Sequence, residues 1–239
     1  MHIHLPKPLH GWREFLGEVG IIVVGVLIAL GAEQVVENVH WHHEVEAERA
    51  SLLQEAKDTL DGVALRQKQQ GCVDRRLVEI RTALERHRRG EPVNVSGRIG
   101  YPIVQGASRG SWQIALAGQA LPHMEHDDKL AFSDVFGAFD LWDRVREQER
   151  QIWYRLSMLN TPDLLTEQDW GSVAAAYNEA IMRNEHVRLL APFVLSKRLP
   201  GIQAYEVKGG DLSSFTRMGE EICQPVLTPA RAGTAAASG

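Results

Sequence analysis

The sequence contains few of the residues that mark specialised classes of protein. Among 239 residues there are two cysteines and ten prolines, and aromatic residues make up 7% of the chain. So few cysteines exclude a small disulfide-dense scaffold, and 44% hydrophobic residues with little proline exclude a disordered or collagen-like chain. The formal charge is −5, so the chain lacks the basic excess that a phosphate backbone requires, and we expect no nucleic-acid partner.

The sequence also lacks the short motifs that accompany well-known chemistry. It contains no phosphate-binding glycine loop, no Gly-x-Ser-x-Gly elbow, no kinase signature and no His-Glu-x-x-His zinc helix. The glycine-rich stretch at 97–110 has no Gly-Lys-Ser ending and follows a helical pattern rather than a strand. We therefore expect that the protein is not an enzyme and has neither catalytic residues nor a cofactor.

A long hydrophobic run lies near the N-terminus. No charged or strongly polar residue occurs between Val19 and Ala32, and helical flanks extend the apolar segment to Phe15–Val36. As a helix this segment is roughly 33 Å long, which matches the hydrocarbon thickness of a bilayer. Trp12 and Trp41 flank it at a helical spacing of roughly 43 Å, which is typical of interfacial anchors. We predict a transmembrane anchor with interfacial flanks over 11–41.

Three other interpretations of this run are a buried core helix, a cleaved signal peptide and a mitochondrial transit peptide. Its β-branched, glycine-rich composition with aromatic flanks favours lipid over a protein core. The small-x-small cleavage pattern at 31–33 is interrupted by Glu33. Glu14 and Glu18 are atypical of a transit peptide. A retained anchor is therefore our interpretation.

The distribution of positive charge predicts how the anchor is oriented. Lys7 and Arg13 precede the span, and no lysine or arginine follows it until Arg49. The positive-inside rule therefore places the N-terminus in the cytoplasm. In a Gram-negative bacterium, this arrangement makes a single-pass inner-membrane protein whose larger part is periplasmic. The expected domains are a short cytoplasmic tail at 1–10, the anchor at 11–41, an extracytoplasmic helical domain at 42–224 and a disordered tail at 225–239.

Small and acidic residues in the anchor suggest contacts beyond lipid. Gly25 and Ala29 form a small-xxx-small pair, which permits close packing of a second helix. Glu18 and Glu33 lie near the two ends of the span, where they either extend to the headgroups or contact a partner helix. Besides the lipid bilayer, we expect another membrane or envelope protein as partner, or self-association through the anchor helix.

The stretch from Gly11 to Gln34 has a recognisable pattern. It reads Arg-Glu-Phe, an acidic residue, and then an Ile/Val-rich run ending in Gly-Val-Leu-Ile-Ala-Leu. This resembles the N-terminal signature of a family of uncharacterised bacterial single-pass membrane proteins. The resemblance is close over Trp12–Gln34 and looser beyond it, where a Ser-Trp pair occurs at Ser111-Trp112. It implies a membrane anchor and a helical domain, and it implies no biochemical activity.

Apolar residues outside the anchor recur at helical spacing. The segment from Glu33 to His87 has no proline, so we predict a long helix that is bent near Gly62 or Gly71 and ends at Gly90. Its apolar seam is Leu53, Ala56, Leu60 and Val63, then Gln67 and Gln70, then Leu77, Ile80 and Leu84. The basic run at 86–89 suits the negative end of a helix dipole better than it suits nucleic acid.

Further helices are predicted after a loop at 91–110. The first is a helix at 111–121, and the second has an apolar stripe from Phe132 to Leu159 and a start capped by Asp127 or Asp128. The third begins at the Thr166 capping box, runs through Trp170, Val173, Tyr177 and Ile181 toward Leu199, and has a kink at Pro192. A short helix near 212–223 follows it. The expected fold is all-α: a single N-terminal transmembrane helix continues into a long helix and is followed by an antiparallel helical bundle.

Two groups of residues are candidate metal ligands. His40, His43 and Glu44 share one helix face with Glu37, and His123-x-x-His126-Asp127 forms a second group. For both groups, the simpler interpretation is a solvated surface near the membrane or a helix cap.

The two cysteines, Cys72 and Cys223, are far apart in the sequence and lie on the same side of the anchor. They either form one disulfide, as an oxidising compartment permits, or remain free thiols. Neither has an adjacent histidine or a catalytic motif, so a cysteine nucleophile is not expected.

These features favour a non-catalytic, membrane-anchored helical protein of the periplasm, acting as an interaction or accessory module in an envelope complex. The alternative is a small-molecule sensor domain that signals through a partner membrane protein. A metal-binding protein is a third, less favoured interpretation.

Overall fold

A computed structural model describes residues 11–102, 106–200 and 221–227. The described chain is helical: α1 spans Trp12–Lys68, α2 Gln70–Arg88, α3 Gly110–Ala117, α4 Ala120–His123, α5 His126–Leu156 and α6 Glu167–Leu195. Short 3-10 turns occupy Ser157–Asn160, Pro162–Leu164 and Glu221–Cys223. Extended backbone pairs at an isolated antiparallel bridge between Val95 and Leu227. The predicted all-α fold, in which a long apolar N-terminal helix leads into packed helices, is confirmed.

Helix α1 contains 57 residues and is about 85 Å long. Its apolar N-terminal part is long and apolar enough to cross a membrane, with a mean hydropathy of 2.4, and none of that part is buried. The full exposure of this segment argues against the buried core helix that the sequence left open. The C-terminal part of α1, in contrast, packs into the helical domain.

The boundary between α1 and α2 is a single residue, Gln69. The predicted interruption near Gly71 is therefore close to the observed one, whereas Gly62 lies inside a continuous helix. Helix α2 ends as predicted before Gly90, which has φ 68°. The amide of Gly90 donates to the carbonyl of His87, and the amide of Glu91 donates to the carbonyl of Arg86. This pair of bonds is a Schellman motif.

The bundle contains three long segments, namely α1–α2, α5 and α6. Arg49 on α1 pairs with Asp128 near the start of α5, and Arg66 pairs with Glu149 near its end. Helix α5 therefore runs in the same direction as α1, because the chain between α2 and α5 returns along the bundle. Helix α6 is antiparallel to both, since its first half packs with the end of α5 and its second half with the start.

The hydrophobic core is divided into two clusters along the bundle. The anchor-side cluster centres on Leu52, Ala56, Leu60, Val63, Phe132, Val135, Phe136, Phe139, Trp142, Val187, Ala191 and Val194. The distal cluster centres on Val73, Leu77, Ile80, Ala83, Ile152, Trp153, Leu156, Leu159, Trp170, Val173, Ala176 and Ala180. The apolar stripe predicted from Phe132 to Leu159 is thus confirmed, but two charged residues on α5 separate its two halves.

Several local predictions are corrected. The helix expected at 111–121 is two short helices, α3 and α4, because Gly118 adopts extended backbone between them. Asp127 and Asp128 do not cap α5. They occupy its first turn, and its N-cap is Glu125, which makes no side-chain capping bond.

On α6, the Thr166 capping box is confirmed, because the Thr166 side chain accepts from the Asp169 amide and the Asp169 carboxylate accepts from the Thr166 amide. Trp170 and Val173 are buried, and further along the helix the buried positions are the small residues Ala176 and Ala180, whereas Ile181 is 39% exposed. Helix α6 ends at Leu195 rather than Leu199, within a turn of Pro192.

The C-terminal boundary also differs from the prediction. Val226 is buried and its carbonyl accepts from the amide of Ser96, so 225–227 pack with the domain instead of starting a disordered tail. Three predicted segments lie wholly or mostly outside the described residues, namely the short helix near 212–223, the tail from 228 onward and the N-terminal tail at 1–10.

Candidate functional site: the anchor and its junction with the helical domain

The apolar N-terminal part of α1, called the anchor below, is exposed on all sides. Ile21 is 76% exposed, and Ile28 is 67% exposed. A Cβ atom placed on Gly20, Gly25 or Gly31 would meet no atom within 4 Å. The described chain therefore does not cover the apolar surface of the anchor, which remains available to lipid or to another helix.

Trp41 marks the junction between the anchor and the folded domain. The ring of His123, at the end of α4, stacks on the Trp41 indole with centroids 4.0 Å apart and planes 11° apart. Trp41 was predicted as an interfacial anchor from its spacing to Trp12 alone. The structure shows that it is also the first contact between α1 and the rest of the domain.

Above this junction, a buried carboxylate on α1 caps helix α3. Glu55 is 6% exposed and accepts from the Ser108 hydroxyl at 2.7 Å. It also accepts from the backbone amides of Ser111 at 3.2 Å and Trp112 at 3.0 Å. The amides at a helix N-terminus have no partner within the helix, so a carboxylate from α1 satisfies them and interacts favourably with the helix dipole.

The Ser-Trp pair singled out in the sequence has a structural role at this point. The Ser111 hydroxyl lies 2.9 Å from the Ser51 hydroxyl of α1. The Trp112 indole stacks on Phe136 of α5, with ring centroids 5.0 Å apart and planes 2° apart. Together with Glu55, the pair joins α1, α3 and α5 into one unit.

Arg49 and Asp128 make a further link close to the junction. Their charged groups are 2.7 Å apart, and both side chains are about a quarter exposed. Nearby on α1, partial burial and the charge of Glu44 raise the pKa of Glu48. The junction therefore carries acidic residues as well as the histidines that the sequence highlighted.

A layer of buried polar residues separates the two core clusters. Arg66 donates to Glu149 at 2.6 Å, and Arg146 also donates to Glu149. Burial raises the pKa of Glu149, but the charges of Arg66 and Arg146 outweigh burial and hold this pKa below its ordinary value. Burial lowers the pKa of Arg146, and the charge of Glu149 opposes that effect. The carboxylate is therefore ionised and neutralises part of two buried positive charges.

The buried layer continues outward to the surface through α2 and α6. The Asn184 amide oxygen accepts from Arg66 at 3.3 Å and from Gln70 at 2.8 Å. Its amide nitrogen donates to Asp74 at 2.7 Å, and Arg188 donates to the same carboxylate at 3.0 Å. This chain of bonds joins the three long segments at one level, close to the α1–α2 boundary.

The two cysteines form a disulfide between α2 and the C-terminal segment, so Cys72 and Cys223 are joined rather than free. Beside it, the buried guanidinium of Arg76 donates to the carbonyls of Arg98 and Ile99 and to those of Glu221 and Gln224. No sequence signal indicates this role, because an arginine at a helical position is ordinarily a surface residue.

The two candidate metal groups do not form a site. Within the ranges that the structure describes, no three His, Cys, Asp or Glu side chains come together as a metal ion would require. His40 and His43 lie on the exposed side of α1, and His123 is occupied by its contact with Trp41.

A surface groove lies at the distal end of the described chain, between α2 and α6. It has a volume of about 950 Å³. Its walls include Arg81, Arg88 and Tyr177. His87 stacks on Trp170 there at 4.1 Å between ring centroids, and its Nε2 lies 3.4 Å from the Glu167 carboxylate. Two residues of the basic run, His87 and Arg88, therefore line this groove as well as belonging to the C-terminal turn of α2.

Comparisons with models of known protein families, with curated proteins and with solved structures return no match.

Proposed function

We propose that this protein is a single-pass, membrane-anchored helical module that serves as a non-catalytic interaction or accessory subunit of an envelope complex. The observation that carries the proposal is helix α1, whose apolar part is fully exposed while the same helix continues into the core of the domain. A bilayer removes that exposed surface from water. The resemblance of 12–34 to the anchors of bacterial single-pass membrane proteins supports the same interpretation.

The proposed location is the bacterial inner membrane, with the N-terminus in the cytoplasm and the helical domain in the periplasm. Two observations support this orientation. Lysine and arginine precede the span and are absent from the stretch immediately after it. The domain also contains a disulfide, which is more stable in an oxidising compartment than in the cytosol.

Two surfaces are suited to partner binding. The glycines of the anchor leave shallow places where another transmembrane helix, from a partner or a second copy, can approach closely. Near the junction, α3 exposes Ile114 and Leu116, at 67% and 59%. These side chains lie on the part of the domain that a membrane-embedded partner reaches first.

Membrane fractionation tests the anchor. We expect the full chain to remain in the pellet after an alkaline carbonate wash, and a variant with Gly25→Arg and Leu27→Arg to be released. A matched control variant carries Arg substitutions at the exposed domain positions Glu147 and Gln151. Release of the unmodified chain by carbonate contradicts the anchor.

Site-specific photo-crosslinking in membranes tests the interaction role. A crosslinking residue at Gly25 or Leu116 is expected to yield a discrete adduct, whereas the same residue at Gln151 on the exposed face of α5 is expected to yield none. Adducts at neither position, at expression levels where the anchor is membrane-bound, contradict the role as a subunit.

The distal groove favours a second candidate, a sensor domain that binds a small molecule and signals through a partner in the membrane. Its volume of about 950 Å³ and its polar and aromatic walls suit a polar ligand. A thermal-shift screen distinguishes the two functions: a ligand that raises the melting temperature of the native chain, and fails to do so for Tyr177→Ala, supports the sensor.

A further inference from the structure

We propose that the Cys72–Cys223 disulfide is a thiol–disulfide exchange site for a dithiol protein, and that Cys223 is the sulfur attacked by the incoming thiolate. The bond lies at the surface, where Cys223 is exposed and Cys72 is half-buried. Exchange requires an accessible sulfur, and the more exposed of the two is Cys223. This activity goes beyond the anchoring role and does not depend on it.

A cation next to the second sulfur makes the two cysteines unequal. The Arg75 guanidinium lies 3.3 Å from the Cys72 Sγ. A positive charge at that distance stabilises a thiolate, and a stabilised thiolate leaves faster. Cys72 is therefore the better leaving group. Exposure and electrostatics thus agree that Cys223 is the sulfur attacked and Cys72 the sulfur released.

The surface beside Cys223 has room for a partner. A groove of about 520 Å³ lies beside Cys223 and is lined by Val78, Ile222, Cys223 and Pro225, together with the polar residues Asp74, Arg75, Glu79 and Gln224. Val78 is 64% exposed although it is apolar. An apolar wall next to a reactive sulfur suits the surface of a folded protein better than it suits a small, charged thiol such as a tripeptide.

The C-terminal segment stays in place without the disulfide, because other bonds also hold it. Arg76 donates to the carbonyls of Glu221 and Gln224. The Glu79 carboxylate accepts from the Val226 amide at 2.9 Å. After reduction, Cys72 and Cys223 therefore remain neighbours, which makes reoxidation fast and the exchange reversible.

The exchange consists of two successive thiol–disulfide displacements. A thiolate of the partner dithiol attacks the Cys223 Sγ, forms a mixed disulfide, and expels Cys72 as a thiolate beside Arg75. The second partner thiol then attacks the mixed disulfide and releases Cys223 as a thiol. The partner enters as a thiolate and a thiol, and the pair ends as the Cys72 thiolate and the Cys223 thiol, so two electrons and one proton pass to the pair and the partner becomes a disulfide. The reverse sequence oxidises the pair.

Trapping of the mixed disulfide tests the site on the full chain in detergent. The probe is a thioredoxin-type protein in which serine replaces the second active-site cysteine. We expect a covalent adduct that peptide mass mapping places at Cys223, with Cys72 becoming open to alkylation. Arg75→Gln is expected to slow adduct formation by about three- to tenfold. Arg150→Gln, a matched change on α5, is expected to leave the rate unchanged.

Three results overturn the proposal. They are an adduct mapped to Cys72, adduct formation that occurs only in denaturant, and an Arg75→Gln rate equal to that of the unmodified chain while its circular dichroism is native. Hydrogen exchange on the reduced chain is a second readout. The Val226 amide is expected to stay protected after reduction, and loss of that protection contradicts reversibility.

Discussion

Arg66 on α1 donates to Glu149 on α5 at 2.6 Å, and both side chains are almost fully excluded from solvent. The pair lies where each of the three long helical segments changes from one core cluster to the other. At that level α6 contributes Asn184, which is 4% exposed. A one-turn shift of any helix would bury these groups without partners, so the layer fixes the relative register of the bundle.

Removal of the shared carboxylate is expected to be strongly destabilising. Glu149→Ala leaves Arg66 and Arg146 buried without their anionic partner, which costs about 3–5 kcal/mol. Chemical unfolding of the full chain in detergent, followed by circular dichroism, measures this loss. Glu147→Ala is the matched control on the same helix, because Glu147 pairs with Arg150 at the surface. Equal midpoints for the two variants contradict a structural role for the layer.

The same carboxylate predicts a loss of stability in acid. The pKa of Glu149 is lowered in the fold from an ordinary value of 4.5. A lowered pKa means that the ionised group stabilises the native state above its ordinary pKa, and that this stabilisation is lost as the pH falls through the lower, folded value.

Glu149→Gln tests the acid dependence directly. This variant is expected to be less stable than the unmodified chain at pH 7 and to show a smaller further loss below pH 4.5. Unfolding midpoints measured across pH 3–7 report both quantities. An unchanged acid limb in Glu149→Gln assigns the acid sensitivity to other carboxylates.

The sequence predicts the helices well because each depends on local signals. Gly90 supplies the positive φ of a Schellman motif, and Thr166 and Asp169 form the predicted capping box. Such features involve neighbours in the chain and leave a readable pattern. The long apolar helix is predicted for a similar reason, since its length and apolar composition are properties of one continuous segment.

The polar layer was missed because its partners come from three different helices. The predicted seam passed from Val63 to Gln67, whereas the buried residue is Arg66 and Gln67 is exposed. An arginine three positions after a core valine does continue the seam, but arginine is ordinarily a surface residue. Its burial depends on acceptors that are distant in sequence, Glu149, 83 residues away, and Asn184, 118 residues away.

A third prediction concerns the cap that joins α1 to α3. Glu55→Ala removes the acceptor of the Ser111 and Trp112 amides, and we expect a loss of about 1–2 kcal/mol together with faster local exchange. Hydrogen exchange followed by mass spectrometry on peptides covering 110–117 measures it. Gln54→Ala, an exposed neighbour bonded to Asp58, is the control. Unchanged exchange in α3 contradicts the capping role of Glu55.

A fourth prediction compares two glycines at the ends of α2. Gly90 has φ 68°, where an L side chain is strained, so Gly90→Ala is expected to destabilise the fold by about 1–2 kcal/mol. Gly71 lies in the first turn of α2 with ordinary helical backbone, and a Cβ there would meet no atom within 4 Å. Gly71→Ala is therefore expected to be neutral or stabilising by up to about 1 kcal/mol.

Chemical unfolding of the two variants measures the difference. We expect the free energy of unfolding of Gly90→Ala to lie below that of Gly71→Ala by at least about 1 kcal/mol. If Gly90→Ala is as stable as Gly71→Ala, α2 does not end in the Schellman motif, and the position of the following segment against Arg76 must be reconsidered.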